Sequence, residues 1–244
     1  FQAYARSLVK PVLERVGWDP KPNEEAARGL LRVHLIATLG VFGDRDVIDA
    51  AREGFQKFLA DPKTLPPDLR PAVLGVVGRY ADQKTWETLH ELGLKTKSIE
   101  EKGFFYSATA DALAPELAKR TLALSLTDEL PAPRAVGLVA NVSRSGEQPA
   151  LAWEFFQAHR TQLDAKLDSL GKIRFAPGVM RGFSELKRAD ELEAYAQKNL
   201  PSDAKSEIAK AAEEIRFNAD LKARLVPEIA KWIAAKGASV TPSN

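Results

Sequence analysis

Cysteine is missing altogether from this 244-residue chain. That removes any disulfide framework and any thiolate chemistry, but it leaves the compartment open, because a cysteine-free chain suits an oxidising or a reducing one equally. Also missing is any apolar run near the ~20 residues that a membrane helix needs. The longest, Leu30 to Phe42 and Ala135 to Val142, are interrupted by Arg32, His34, Thr38 and Asn141, so no membrane span is expected. Nor is there an excess of charge of one sign. Thirty-five Lys and Arg stand against 33 Asp and Glu, a formal net charge of +2. That balance is wrong for a protein whose main task is to neutralise phosphates, and nucleic acid is not an expected partner. The chain opens on Phe1-Gln2-Ala3-Tyr4, with neither an initiator methionine nor a charged leader, so more polypeptide is expected upstream.

Complete catalytic motifs are absent too. His90-Glu91-Leu92-Gly93-Leu94 starts like the zinc motif H-E-x-x-H, in which two histidines one helical turn apart chelate the metal and the glutamate activates water. Position 94 is leucine, and the other histidines, His34 and His159, lie far away in sequence. No metal ligand set and no cofactor site is therefore expected in this chain. Asp44-Arg45-Asp46 and Glu24-Glu25 could be paired carboxylates for acid–base work. Both pairs fall at helix starts, where acids favour the positive end of the macrodipole, and that structural role is the expectation. Gly75-Val76-Val77-Gly78 lies inside a helical pattern without the strand, Lys and Ser/Thr of a phosphate loop, so it reads as close helix packing. Asn141-Val142-Ser143 is a formal glycosylation acceptor placed at a helix end.

What is present is helical periodicity. Apolar residues recur at Ile48, Ala51, Phe55, Phe58 and Leu59, at Ala204, Ile208, Ala211, Ala212 and Ile215, and at Leu225, Ile229, Trp232 and Ile233. Each set follows the i, i+3/i+4, i+7 rule for one buried stripe, and nothing comparable occurs at period two. Residues 26–42 are apolar almost all round, as an interior helix should be. Proline and glycine break the pattern at regular places, among them residues 17–22, 61–67, 130–133, 146–149, 176–178 and 200–203. Asn23, Asp82 and Ser202 or Asp203 stand where N-caps are needed. Trp18, Trp153 and Trp232 sit at junctions beside Leu, Phe or Ile and are expected to be largely buried.

Two helices plus connections recur about every 40 residues, near the period of HEAT and armadillo units. The fold class expected is all-α, a curved array of antiparallel helical hairpins of HEAT/armadillo type. By length, one long domain or two short ones are allowed. The organisation adopted is a single helical repeat domain over residues 1–236 with a flexible tail over 237–244. In such an array helix ends and loops present side chains to the concave surface. Arg134, Arg144, Lys172, Arg174 and Arg181 fall there, and a planar guanidinium suits a carboxylate such as a peptide C-terminus. Arg144, Arg174 and Arg181 are the substrate-chamber candidates. Ordinary solvated surface charge is the competing reading for each.

Five stretches taken in order go further: Leu13-Glu14-Arg15-Val16-Gly17-Trp18-Asp19-Pro20-Lys21-Pro22, Leu65-Pro66-Pro67-Asp68-Leu69-Arg70, Leu151-Ala152-Trp153-Glu154-Phe155-Phe156, Gly182-Phe183-Ser184, and Ile215-Arg216-Phe217-Asn218 before Lys231-Trp232-Ile233. Together they resemble the C-terminal helical domain of the zinc aminopeptidase family that includes aminopeptidase N, puromycin-sensitive aminopeptidase and the endoplasmic-reticulum aminopeptidases. The resemblance implies a non-catalytic domain that shapes and gates a substrate chamber. Its partners would be an upstream catalytic domain of the same polypeptide and peptide substrates, with zinc held in that missing domain. The family's H-E-x-x-H and G-x-M-E-N motifs are not in this chain, so no catalytic residue carries over. Near Ala112, where longer-peptide members of the family have an arginine, there is no basic residue. An alternative is a free-standing helical scaffold that binds a protein or peptide partner in its groove. The alanine-rich style suggests a bacterial source, with cytoplasm and periplasm both open.

Overall fold

The computed structural model describes residues 1–238. Among them are thirteen α-helices, three single 3-10 turns and no strand, so the all-α expectation holds. The chain divides into two compact units, Phe1–Ala118 and Lys119 onward. Helix α7 (Pro115–Leu124) spans the point of division.

The first unit holds α1 (Gln2–Val16), α2 (Ala26–Val41), α3 (Arg45–Ala60), α4 (Arg70–Arg79), α5 (Gln83–Lys95) and α6 (Ile99–Ala110). Consecutive helices pack in pairs, α1 with α2, α3 with α4 and α5 with α6, and the second members also pack on one another, α2 on α4 and α4 on α6. Short connections and one apolar stripe per helix produce this arrangement, because each stripe is buried only when a neighbour covers it. Ile36, Leu39, Phe55, Val73, Leu74 and Leu89 form its centre, each at most 2% exposed. Burying a side chain of this size contributes ~1.5–3 kcal/mol.

The row α2–α4–α6 is set by two glycines. A Cβ on Gly40 of α2 would lie 2.3 Å from Val76 Cγ2 on α4, and one on Gly78 of α4 would lie 1.9 Å from the carbonyl oxygen of Ala108 on α6. The second neighbour is backbone and cannot rotate away. The Gly75-to-Gly78 stretch thus serves close helix packing, as its sequence context implies.

The second unit holds α8 (Ala132–Arg144), α9 (Pro149–Ala158), the short α10 (Arg160–Asp164), α11 (Ser169–Met180), α12 (Leu186–Asn199) and α13 (Lys205–Ala238). Helices α8, α9 and α11 pack together, and α13 lies on both α11 and α12. Trp153 is 1% exposed, donates its indole N–H to Glu191 at 2.6 Å and meets Tyr195 edge-on at 5.1 Å. Arg216 of α13 forks onto Glu193 of α12 at 2.9 Å through both terminal nitrogens, and one of them reaches Asp190 at 3.0 Å.

Several expectations need correction. Helix α2 is not apolar on every buried side: Arg32 is 1% exposed, whereas Leu30 and Leu31 are 64% and 43% exposed. Of the expected caps only Asp82 serves, accepting from Thr85 N at 2.8 Å. Asn23 instead has φ of 57°, and Ser202–Ala204 is a 3-10 turn without a side-chain cap. Asp44, Ser98 and Asp168 cap α3, α6 and α11. Trp18 is half-buried and Trp232 is 50% exposed. The stripe of Leu225, Ile229, Trp232 and Ile233 is helical but only partly covered, with Ile229 39% exposed; α12 begins opposite Lys222, whose ammonium reaches the Ser184 hydroxyl at 2.9 Å. Gly237 and Ala238 continue α13. The rest of the expected tail, 239–244, lies outside the described residues.

The glycine row makes a paired prediction. Gly78→Ala should destabilise the chain by about 1–3 kcal/mol, the range for overpacking a core. Gly54→Ala, in the middle of α3 with nothing within 4 Å of its Cβ, should stabilise by roughly 0.5–1 kcal/mol through helix propensity. Urea unfolding midpoints of the two variants are expected to move in opposite directions.

Candidate functional site

The row of second helices brings three N-terminal ends together in the first unit, and between them lies a groove of about 940 Å³. Its walls come from segments far apart in sequence: Glu24 to Val33 at the start of α2, Pro67 to Pro71 at the start of α4, and Ser98 to Phe104 at the start of α6.

Each wall is fixed by a guanidinium. Arg32, pointing back from α2, donates its Nε to the Gly17 carbonyl at 2.8 Å and its two terminal nitrogens to Glu24 at 2.6 and 2.7 Å. This fork ties the 17–25 connection to α2, and it holds the Glu24 carboxyl down at about 2, below the ordinary carboxylate range. Gly17, with φ of 84°, occupies the left-handed region that glycine reaches without strain. Arg70 does the same for the second and third walls. It donates to the carbonyls of Leu65 at 3.2 Å and Pro62 at 2.9 Å, pairs with Glu101 of α6, and lies 5.3 Å above the Phe58 ring. Glu101 in turn accepts from the Thr96 hydroxyl at 3.0 Å.

With those two carboxylates engaged, Glu25, Asp68 and Glu100 remain on the rim, exposed. Leu30, Val33, Phe104, Pro67 and Pro71 supply an apolar lining. Sequence reading placed Glu24 and Glu25 at a helix start but missed the groove. The signal available was the exposed half of an over-apolar α2, which pattern alone assigns to the interior.

The three candidate arginines lie in the second unit. Arg144 ends α8 and Arg174 sits within α11, both exposed, and neither forms an ion pair among the described residues. Arg181, directly after α11, pairs with Glu214 at 3.4 Å and Glu207 at 3.8 Å on α13, so its charge is already used within the unit. The Ser143 hydroxyl donates to the Val179 carbonyl at 2.7 Å and ties the end of α8 to the end of α11. Arg144 and Arg181 therefore share one end of the unit, while Arg174 lies two turns back along α11.

Among the described residues no group of three or more His, Asp or Glu side chains is arranged to hold a metal ion. His90 is packed between Trp86 at 5.3 Å and Tyr106 at 5.7 Å, and its neighbour Glu91 pairs with Lys95 at 2.9 Å. His159 faces Gln162 at 3.0 Å. These histidines do not fit a zinc site. No single helix among the described residues is long and apolar enough to cross a membrane.

A family model described as the ERAP1-like C-terminal domain matches residues 1–217. The chain belongs to that family. Among similar proteins, Aminopeptidase M1 of Arabidopsis thaliana is 29% identical over 213 residues, covering 84% of this chain and 24% of that protein. Aminopeptidase M1-A of Oryza sativa subsp. japonica is 25% identical over 246 residues, 97% of this chain and 26% of the relative. Aminopeptidase 2 of Candida albicans is 26% identical over 130 residues, 53% and 14% respectively. This ERAP1-like C-terminal domain thus spans about a quarter of the length of the first two. These are plant and yeast enzymes, and the bacterial source suggested by the alanine-rich style finds no support in them.

The Arg32–Glu24 fork yields a pH prediction. A carboxyl held low in the folded state contributes stability that is complete above its unfolded value and is lost as pH falls toward the folded one. Glu24→Gln should therefore be less stable than the parent at neutral pH. The difference should shrink as pH falls from about 4.5 toward about 2. Melting temperatures across that window check it.

Proposed function

We propose that the chain is the non-catalytic C-terminal domain of a zinc-dependent aminopeptidase, an enzyme that removes N-terminal residues from peptides. In this reading it shapes and gates the chamber in which an upstream catalytic domain works, and residues 1–236 act as one domain within that enzyme. The carrying observation is the family match over residues 1–217. Its relatives are named aminopeptidases and are about four times longer than the region they share with it. Zinc and the attacking water belong to the upstream part in this proposal, because no group of three or more His, Asp or Glu side chains among the described residues is arranged to hold a metal ion.

A chamber wall acts through binding and exclusion. Closing a site over a peptide removes water and strengthens the electrostatic interactions inside it. Side chains distant from the scissile bond hold the far end of the substrate, and that binding energy is uniform unless closure couples it to the transition state. Arg144 and Arg174 are the cations of the second unit with a guanidinium available for a peptide carboxylate. Arg181, paired with Glu207 and Glu214, serves the attachment of α11 to α13 in this reading.

In the full-length parent enzyme, Arg144→Glu and Arg174→Glu should raise KM for a hexapeptide severalfold and leave kcat nearly unchanged, the pattern of lost uniform binding. A single amino-acid anilide, too short to reach these positions, should be hydrolysed as before. Measured kcat/KM for both substrates decides it. Equal losses on the two would mean a folding or closure defect, and no loss on either would return both arginines to the solvated surface.

A further inference from the structure

We infer that the groove at the starts of α2, α4 and α6 is a binding site for a short cationic peptide segment with apolar neighbours. At about 940 Å³ it falls at the upper end of the ~300–1,000 Å³ range of ligand sites, room enough for a few residues of extended chain. Its lining is two-part. Leu30, 64% exposed, stands with Val33 and Phe104 as apolar floor, and five carboxylates surround one lining cation, Arg70. An apolar floor with a charged rim is the composition of a recognition surface, since exposed apolar area in water is a cost that a partner removes.

Charge decides which partner. Helix N-termini attract anions, and three of them meet here, so the groove could in principle take a phosphate or a carboxylate. The magnitudes oppose that reading. Three helix ends supply roughly +1.5 charges in total, at ~0.5 each, and Arg32 and Arg70 are spent on Glu24 and Glu101. Glu25, Asp68 and Glu100 have side chains with no ion pair or hydrogen bond among the described residues, and together they exceed the helix-end charge about twofold. The field in the groove is negative, so a lysine, an arginine or a terminal ammonium is drawn to the rim while its apolar neighbours cover Leu30 and Phe104. The site lies wholly within the first unit. It goes beyond the aminopeptidase reading, because binding here requires no catalytic domain.

The test is fluorescence anisotropy on the purified 244-residue chain at low salt, with labelled hexapeptides of alternating Leu and Lys, Leu and Glu, or Ser and Lys. The Leu/Lys peptide should bind at least tenfold more tightly than either of the others and weaken severalfold as salt rises. A chain carrying Glu25→Gln, Asp68→Asn and Glu100→Gln should lose at least tenfold in affinity for it. Neutralising three carboxylates outside the groove, with Glu14→Gln, Glu154→Gln and Glu213→Gln, should leave the affinity within twofold. Leu30→Ser should weaken binding while helicity and melting temperature stay near the parent's. Absence of Leu/Lys binding, equal binding of Leu/Glu, or equal loss in the two triple variants would overturn the assignment. So would sedimentation showing that the groove variant dissolves a dimer, since the occupant would then be a second copy of the chain. Each of these outcomes leaves the aminopeptidase reading standing, because that reading is tested separately by peptide hydrolysis in the parent enzyme.

Discussion

The guanidinium of Arg32 has almost no contact with water, and the first unit is organised around it. Removing an arginine from water costs several kcal/mol unless its donors are met, so the fold must bring acceptors to it. It does so with the Gly17 carbonyl and both oxygens of Glu24. To place those acceptors, the connection after α1 has to turn at Gly17 and return along α2. Arg28 reinforces the turn by donating to the carbonyls of Arg15 at 2.9 Å and Val16 at 3.3 Å, groups left open at the end of α1. One buried charge therefore dictates the path of a loop and, through it, one wall of the groove.

The same device recurs elsewhere in the chain. Arg70 gathers the 61–69 connection onto α6. Arg160 forks onto Asn199 at 2.6 and 2.8 Å while lying 5.5 Å above Tyr195. Arg216 clamps α12. A planar fork that also stacks on rings closes such joints better than lysine, a point charge on a flexible stem. This accounts for three of the five stretches that carry the family likeness. Leu65 to Arg70 contains the second clamp, Ile215 to Asn218 contains the clamp on α12, and Leu13 to Pro22 contains the carbonyl that receives Arg32. Those recognisable residues hold joints together.

That division sets how much could be read from the sequence. Helical periodicity, the breaks at proline and glycine, the cap at Asp82 and the close packing at Gly78 were legible because each depends on residues within a few positions. Burial of Arg32 in place of Leu30 was not legible. Pattern averages over a helix, and only the arrival of Glu24 and Gly17 makes the charged residue the inward one. The groove was hidden for a related reason: its three walls lie tens of residues apart, and its rim acids look like ordinary helix-start residues. The exposure of Trp232 escaped because periodicity reports a stripe and says nothing of whether a neighbour covers it.

Helix α13 is covered over its first half, by α11 and α12, and largely bare from Phe217 to Lys236. A bare stretch of helix is weakly held in water, since most helical stability in proteins comes from packing and little from propensity. Pro227, inside it, removes one more backbone donor from the ladder. The two halves of a single continuous helix therefore belong to different stability classes. Amides around Ile208 to Ile215 would exchange with solvent only when the second unit opens, whereas those beyond Pro227 would exchange through local fraying that leaves the rest folded.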